Sequence, residues 1–435
     1  MDRLDIGYTG IAALLILLAV RVPIGVALGL ISFFGIWAIT TSQAAWGLFT
    51  ALPFNFIGDW SLSAVPMFLF MGYIAGQTGL TSSAFRAMRV FLAGFPGGLA
   101  CASVGACALF AAASGSSVAT AAAMARTAVP EMLRARYDPG LATGTVAAAG
   151  TLGSLIPPSV LMVIYGIFAE VSIGRLFLAG FLPGMLTAAV YILMITTRVR
   201  LKPSLAPEIA TRVTAGDRLQ ALIEIWPFPV LIAGVLGGIF AGVFTPTEAG
   251  AAGAFLALVI AAVQRQFTWQ AFKRACFETA ESTAAIFIIV VGSVLFTRFM
   301  ALSGVPDGLA EWMLAGGSDP WLIILQIALL YLVLGMFIDP FGIMLLTLPI
   351  ILPVLEAAQV DLIYFGIILI KLLEISLITP PVGFNVYVIK TAVGDTISIT
   401  TIFKGVTWFI VAELFVLALL ILFPVISLFL PGLAR

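Results

Sequence analysis

Four short interruptions in an otherwise apolar chain carry the residue types that could do chemistry: Ser114-Gly115-Ser116-Ser117, Ile156-Pro157-Pro158, Ile338-Asp339-Pro340 and Thr379-Pro380-Pro381. Hydroxyls and a carboxylate are oxygen ligands of the kind hard cations prefer. The Pro-Pro pairs offer no amide hydrogens, so carbonyls of the preceding turns, around Gly153 to Ile156 and Ser376 to Thr379, are freed to face inward as further ligands. A half-helix that starts beyond an interruption presents a positive amino end, which suits an anionic group. Ser117, Pro158, Ser159, Pro381, Gly383 and Asn385 stand at those ends and are the candidates for holding an organic anion. Cation and anion can thus share one site.

The spacing ties the four interruptions together. Ser116 to Pro157 is 41 positions, and Asp339 to Pro380 is 41. Sliding the chain by 223 residues superposes Ser116 on Asp339, and also Pro23 on Pro246, Trp46 on Trp269, Pro130 on Pro353, Asp138 on Asp361 and Pro158 on Pro381. Roughly 0.6 coincident Pro pairs are expected by chance at one such shift, and four occur, which marks a duplicated unit.

Composition defines the surroundings. Hydrophobic residues make up 62% of the chain and charged residues 10%, and several apolar runs approach or exceed the roughly 20 residues that cross a bilayer as helix. The reading is an all-α polytopic membrane protein. Net charge is zero and no basic run resembles a nucleic-acid patch. Cys101, Cys107 and Cys276 lack metal-ligand or C-x-x-C spacing and are expected to be small buried side chains, not disulfides. The first 20 residues resemble a signal peptide but lead into Arg21-Val22-Pro23 without a small-residue cleavage site, so a retained first helix is expected.

Each half reads as the same parts. The first repeat occupies 1–200, with spans at about 5–20, 23–40 and 61–80, a connector from Thr41 to Trp60, a hairpin at about 97–136, a broken helix at about 138–170 and a closing helix at about 174–197. A linker follows at 201–225. The second repeat occupies 226–435, with spans at about 227–243, 246–263 and 281–302, a hairpin at about 320–357, a broken helix at about 361–390 and a last helix at about 405–430. Thr245-Pro246-Thr247-Glu248 reads as a helix start, with Thr as cap and Pro in the first turn.

Arg198, Arg200, Lys202, Arg212 and Arg218 place the linker in the cytoplasm, and Arg265, Lys273 and Arg274 mark the same side two spans later. The equivalent loop of the first half, Thr41 to Leu52, has no charge, which points to the opposite side and to two repeats of inverted topology. That is the usual construction of secondary transporters.

Gly97 to Ser114 and Val118 to Arg134 are about 17 residues each, some 25 Å of helix, slightly short for a crossing, so each pair of arms enters the membrane and turns back. The turn must be wrapped by protein or line a wet cavity, because lipid leaves its backbone groups unsatisfied. Asp339, at the equivalent turn, needs a cation or a hydrogen-bonding partner. Glu374 is left open between binding, gating and pairing with Lys371, and Arg126 and Arg298 between snorkelling, pairing and substrate contact.

These segments, in this order, resemble the large membrane subunit of the tripartite ATP-independent periplasmic (TRAP) transporters. The resemblance rests on Ala113 to Ser117 with Pro130, Gly153 to Ser159, Phe244 to Ala249 and Leu377 to Asn385, and covers nearly the whole chain. It implies an inner-membrane protein that imports organic acids, C4-dicarboxylates among them, with sodium as coupling ion and no bound cofactor. Its implied partners are a soluble periplasmic solute-binding protein and a small four-helix membrane subunit. It also implies an elevator motion, with hairpins and broken helices sliding as a transport domain against a scaffold. Carried onto this sequence, sodium ligation falls on Ser114, Gly115, Ser116, Ser117, Gly153, Ile156 and Pro157 in one half, and on Asp339, Ser376 and Thr379 in the other. Arg126 and Ser376 stand where the family commonly has small residues.

The residues themselves point the same way. There is no histidine, hence no near-neutral proton relay and no Ser-His-Asp triad, and no G-x-x-x-x-G-K-[ST] phosphate loop. Energy then comes from an ion gradient or another subunit. Two other readings are a self-sufficient ion-coupled anion carrier and a membrane-embedded enzyme using Asp339 and Glu374 as acids. The latter lacks any nucleophile–base pair.

Overall fold

The computed structural model describes residues 2–207, 213–315 and 320–433, without side chains for 312–315; Arg212 of the linker lies outside the described residues. The first half runs through α1 (Arg3–Ala19), α2 (Ile24–Ile39), α3 (Ser42–Ile57), α4 (Ala64–Gln77), α5 (Leu80–Phe91), α6 (Gly98–Ser114), α7 (Ser117–Arg134), α8 (Pro139–Ala149), α9 (Leu152–Leu155), α10 (Val160–Phe168) and α11 (Ile173–Leu201). The linker contains α12 (Ala215–Glu224). The second half comprises α13 (Pro227–Ile232), a π-helical stretch leading into α14 (Gly238–Phe240), α15 (Pro246–Val263), α16 (Trp269–Ser303), α17 (Val305–Ala315), α18 (Pro320–Leu334), α19 (Pro340–Ala357), α20 (Leu362–Ser376), α21 (Phe384–Val393), α22 (Ile399–Leu422) and α23 (Val425–Leu433).

Helix ends recur where the prolines and caps recur. The 18-residue α7 and α19 begin and end 223 positions apart. Asp138 and Asp361 cap equivalent helices, each accepting an amide three residues on at 2.9 Å. The expected start at Thr245 is a full capping box, with Glu248 reaching back to the Thr245 amide at 2.8 Å and Pro246 in the first turn. Among the described residues six helices are long and apolar enough to cross a membrane, or eight if two bent pairs each count as a span.

Packing is reciprocal between the halves. Helix α2 lies along α16 while α4 lies along α15, and α8 lies along α22 while α20 lies along α11. Part A of one half meets part B of the other and vice versa, the contact pattern of a two-fold relation.

Three features depart from the sequence reading. The connector and third span bend by 55° in the first half, between Ile57 and Trp60, but form the single 35-residue α16 in the second. The break has Gly58 and Asp59, whose carboxylate accepts the Ser61 amide at 2.8 Å; Glu281 and Ser282 stand 223 positions on and offer neither a glycine nor that cap. An amphipathic helix, α5, precedes the first hairpin and buries Leu80, Ala84, Phe85 and Ala87. Cys101 and Cys107 are buried as expected, but Cys276 is exposed, because it sits on the outward face of α16.

Candidate functional site

The first hairpin turns at Gly115, whose φ of +62° is left-handed. Glycine is required there twice over, since a Cβ would also lie 2.9 Å from the Pro158 carbonyl oxygen. Ser116 caps α7, accepting the Ala119 amide at 3.4 Å. The tip is laced to the broken helix beside it. The Val160 amide donates to the Gly115 carbonyl at 3.1 Å, and the Ser117 hydroxyl reaches the Thr151 carbonyl at 3.0 Å and Ser154 Oγ at 2.5 Å. Ser114 Oγ meets Thr120 Oγ1 at 2.7 Å, and Thr120 in turn donates to the Ser116 carbonyl at 2.8 Å. Gly153 lets the two breaks touch, for a Cβ there would lie 2.6 Å from the Ser116 carbonyl oxygen. The result is a dense nest of hydroxyl and carbonyl oxygens shared by α6, α7, α9 and the Ile156-Pro157-Pro158 turn. The carbonyls of Gly153 to Ile156 accept no amide hydrogen bond among the described residues.

The second tip is built alike. Asp339 caps α19, accepting the Gly342 amide at 2.9 Å, and the Val382 amide donates to the Met336 carbonyl at 3.3 Å. Here one expectation is corrected. The Ser376 carbonyl accepts the Thr379 amide at 3.3 Å and the Leu377 carbonyl accepts the Asn385 amide at 2.9 Å, so these two are not free. The chain folds back over the break into α21 and brings donors of its own. The side chains of Ser376 and Thr379 donate to Leu373 and Ile375 carbonyls, each at 2.6 Å, leaving their lone pairs available. Both Pro-Pro bonds, Pro157-Pro158 and Pro380-Pro381, are cis.

A cavity of about 890 Å³ joins the two tips. Ser116, Val160, Asp339 and Phe384 line it, so the amino ends of α7, α10, α19 and α21 all meet one space. Other walls come from α4, with Tyr73 and Gln77, and from α16, with Glu278, Glu281 and Ser282. Tyr73 and Ser282 hydroxyls lie 2.6 Å apart. The residues 223 positions on from the lining residues Tyr73, Gly76, Gln77 and Ala123 are Phe296, Phe299, Met300 and Leu346, and these fill a buried apolar cluster with α2. The two-fold pattern is therefore open on one side and sealed on the other. The open side is the side of the basic linker: Gly79, at the cavity, approaches Gln266 next to Arg265, and α12 pairs with α5 through Arg86 and Glu224 at 3.1 Å.

Not every candidate reaches the cavity. Ser116 and Asp339 line it; Ser117, Ser159 and Asn385 are buried behind it. Ser159 caps α10, and Asn385 donates to the Ala147 carbonyl at 3.0 Å, joining the two broken helices, while its Oδ1 has no hydrogen-bond partner among the described residues. Pro381 is exposed and Gly383 takes a left-handed φ of +57° under the Phe403 ring. Arg126 lines the cavity, whereas Arg298 is exposed elsewhere on α16.

Glu374 pairs with Lys371 at 3.1 Å, and Lys371 also pairs with Glu413 and meets Thr187 Oγ1 at 3.0 Å. Tyr191 donates to Glu413. All four charged and phenolic groups are fully buried, and they fasten α20 to α11 and α22. The Glu413 and Tyr191 partners carry no local signal, since they come from helices 39 and 183 positions away from Glu374 and only folding brings them together.

Residues 11–426 match the family described as tripartite ATP-independent periplasmic transporter, DctM component. The chain is 35% identical to the C4-dicarboxylate TRAP transporter large permease protein DctM of Pseudomonas aeruginosa, over 86% of each chain. It is 35% identical to the sialic acid TRAP transporter large permease protein SiaM of Vibrio cholerae, over 87% of each. Among solved structures it resembles the YdaH transporter of Alcanivorax borkumensis, with a TM-score of 0.64 at 15% identity, covering 89% of this chain and 90% of that one. That likeness is one of fold.

Proposed function

Because this chain belongs to the DctM family of tripartite ATP-independent periplasmic transporters, multi-pass proteins of the inner membrane, we propose that it is the large permease subunit of one and imports an organic acid anion together with sodium ions. One observation carries the reading: four helix amino ends and the Asp339 carboxylate meet in a single cavity beside a nest of hydroxyl and carbonyl oxygens. Helix amino ends attract an anion. The oxygens suit a hard cation, and Asp339 neutralises one. The donor set fits sodium, with Ser114, Ser116, Ser117 and the Gly153–Pro157 turn offering one group of ligands and Asp339, Ser376 and Thr379 another. A cation bound at either group offsets the repulsion between Asp339 and the incoming anion, so anion and cation favour each other's binding.

The repeats are read as inverted, and the open cavity as the state facing the cytoplasm. The mirror state opens when the hairpins and broken helices slide as one body against α1–α5 and α13–α17, exchanging the sealed cluster around Phe299 for a cavity and closing the present one. The chain acts as a transporter and not as an enzyme. The relatives named for C4-dicarboxylates and for sialic acid both carry acids, and this chain is placed with them. A periplasmic binding protein and a small membrane subunit complete the machine. The test is uptake of labelled organic acids into proteoliposomes under an inward sodium gradient, with and without those two partners. Uptake that needs sodium and both partners is expected; uptake by this chain alone overturns the tripartite reading.

A further inference from the structure

The cavity is more hostile to an anion than its transport role suggests. Among the described residues that line it are three carboxylates, Asp339, Glu278 and Glu281, and one cation, Arg126. Glu278 is engaged by Arg274 at 3.0 Å and by Gln77 at 3.3 Å, but Arg126 has no ion pair among the described residues. It projects from α7, and the cavity-lining residues between it and Ser116 are Val118, Ala119, Ala122 and Ala123, so small apolar side chains line the wall between guanidinium and hairpin tip. Its Nε donates to the Ala122 carbonyl at 3.4 Å, so the side chain folds back toward the tip by one helical turn, as long helical side chains do. Ala122 lies six positions on from Ser116, which sets its turn, and the guanidinium held beside it, about 9 Å along the helix from the tip.

A free guanidinium at fixed distance from a cluster of helix amino ends is a two-point ruler for anions. Resting on the organic-acid reading above, we propose that Arg126 is a second anion-binding point that selects organic acids with an anionic group at each end, one held at the helix amino ends and the other by the guanidinium about 9 Å away. A short diacid occupies only the tip; a long monoacid leaves Arg126 unpaired.

The test is binding of four probes to the detergent-purified chain in sodium buffer by titration calorimetry: succinate, suberate, octanoate and azelate. These separate length from charge at the far end. The wild-type protein is expected to bind suberate or azelate more tightly than octanoate and succinate, and Arg126→Ala to lose about tenfold to a hundredfold for the long diacids only, as loss of one charge-assisted contact implies. Arg126→Lys is expected to recover part of the loss. If the wild type binds these acids but Arg126→Ala changes none of them, or weakens all four equally, the assignment of Arg126 is overturned while the organic-acid reading stands. If the wild type binds none of them, the ruler for two-ended acids is overturned, while the organic-acid reading stands or falls on the uptake test above.

Discussion

Lys371 illustrates how much one side chain holds in the apolar interior. It stands between Glu374 and Glu413 with no exposure to solvent. Replacing it with Met leaves two buried carboxylates facing each other, and breaking such a group costs about 3–5 kcal/mol. Lys371→Met is therefore expected to unfold well below the wild type in a thermal melt, and Lys371→Met combined with Glu374→Gln and Glu413→Gln to recover much of the loss. A melting temperature unchanged in the single variant would show that the cluster contributes nothing to stability. Asp339 has the opposite character: it is a cap at the cavity wall, so its loss is expected to be felt in transport. The sequence exposed Asp339 because a carboxylate between two apolar arms is conspicuous. It left Glu374 undecided, because only the fold supplies Glu413 and Tyr191.

At the scale of elements, the helix breakers carried most of the information. Ser-Gly-Ser-Ser, Asp-Pro and the two Pro-Pro pairs end helices for local reasons, and the hairpins α6–α7 and α18–α19 turn where those residues stand. Where the outcome depended on tertiary partners the local reading fell short. It treated the Ser376 and Leu377 carbonyls as free, and it did not foresee that α16 runs unbroken where α3 and α4 bend. The helix α5 was legible, since Leu80, Ala84, Phe85 and Ala87 fall on one helical face, but a search for spans passes over so short an amphipathic segment. The contact between hairpin tip and broken helix gives an element-scale prediction. Gly153→Val puts atoms where the Ser116 carbonyl lies, and overpacking of this kind costs about 1–3 kcal/mol. Sodium-dependent uptake is expected to fall strongly with only a modest drop in melting temperature. Uptake at the wild-type rate would mean that the two breaks need not touch.

For the whole molecule, the telling feature is the contrast between a two-fold pattern of packing and a one-sided cavity. Equivalent positions line a cavity at Tyr73 and Gln77 and are packed in an apolar cluster at Phe296 and Met300. Secondary transporters alternate access around one site by exchanging two discrete packings, and the motion proposed above assigns that exchange to these two sides. The proposed sliding can be blocked across the contact between α4 and α6, where a Cβ at Gly76 would lie 3.8 Å from the Phe110 ring. With Cys101, Cys107 and the exposed Cys276 replaced, a Gly76→Cys, Phe110→Cys protein bridged by mercuric ion is expected to stop transporting and to resume when excess thiol removes the bridge. Undiminished uptake while bridged would exclude movement of the first hairpin past α4.

The most direct measurement is initial uptake of a labelled organic acid into proteoliposomes holding the complete transporter, compared between wild type and Asp339→Ala at several external sodium concentrations. The proposed cation coupling predicts wild-type uptake that rises with sodium and Asp339→Ala protein that inserts, melts near the wild type and transports at background. Sodium-dependent uptake that survives in Asp339→Ala, at the wild-type rate, would contradict it.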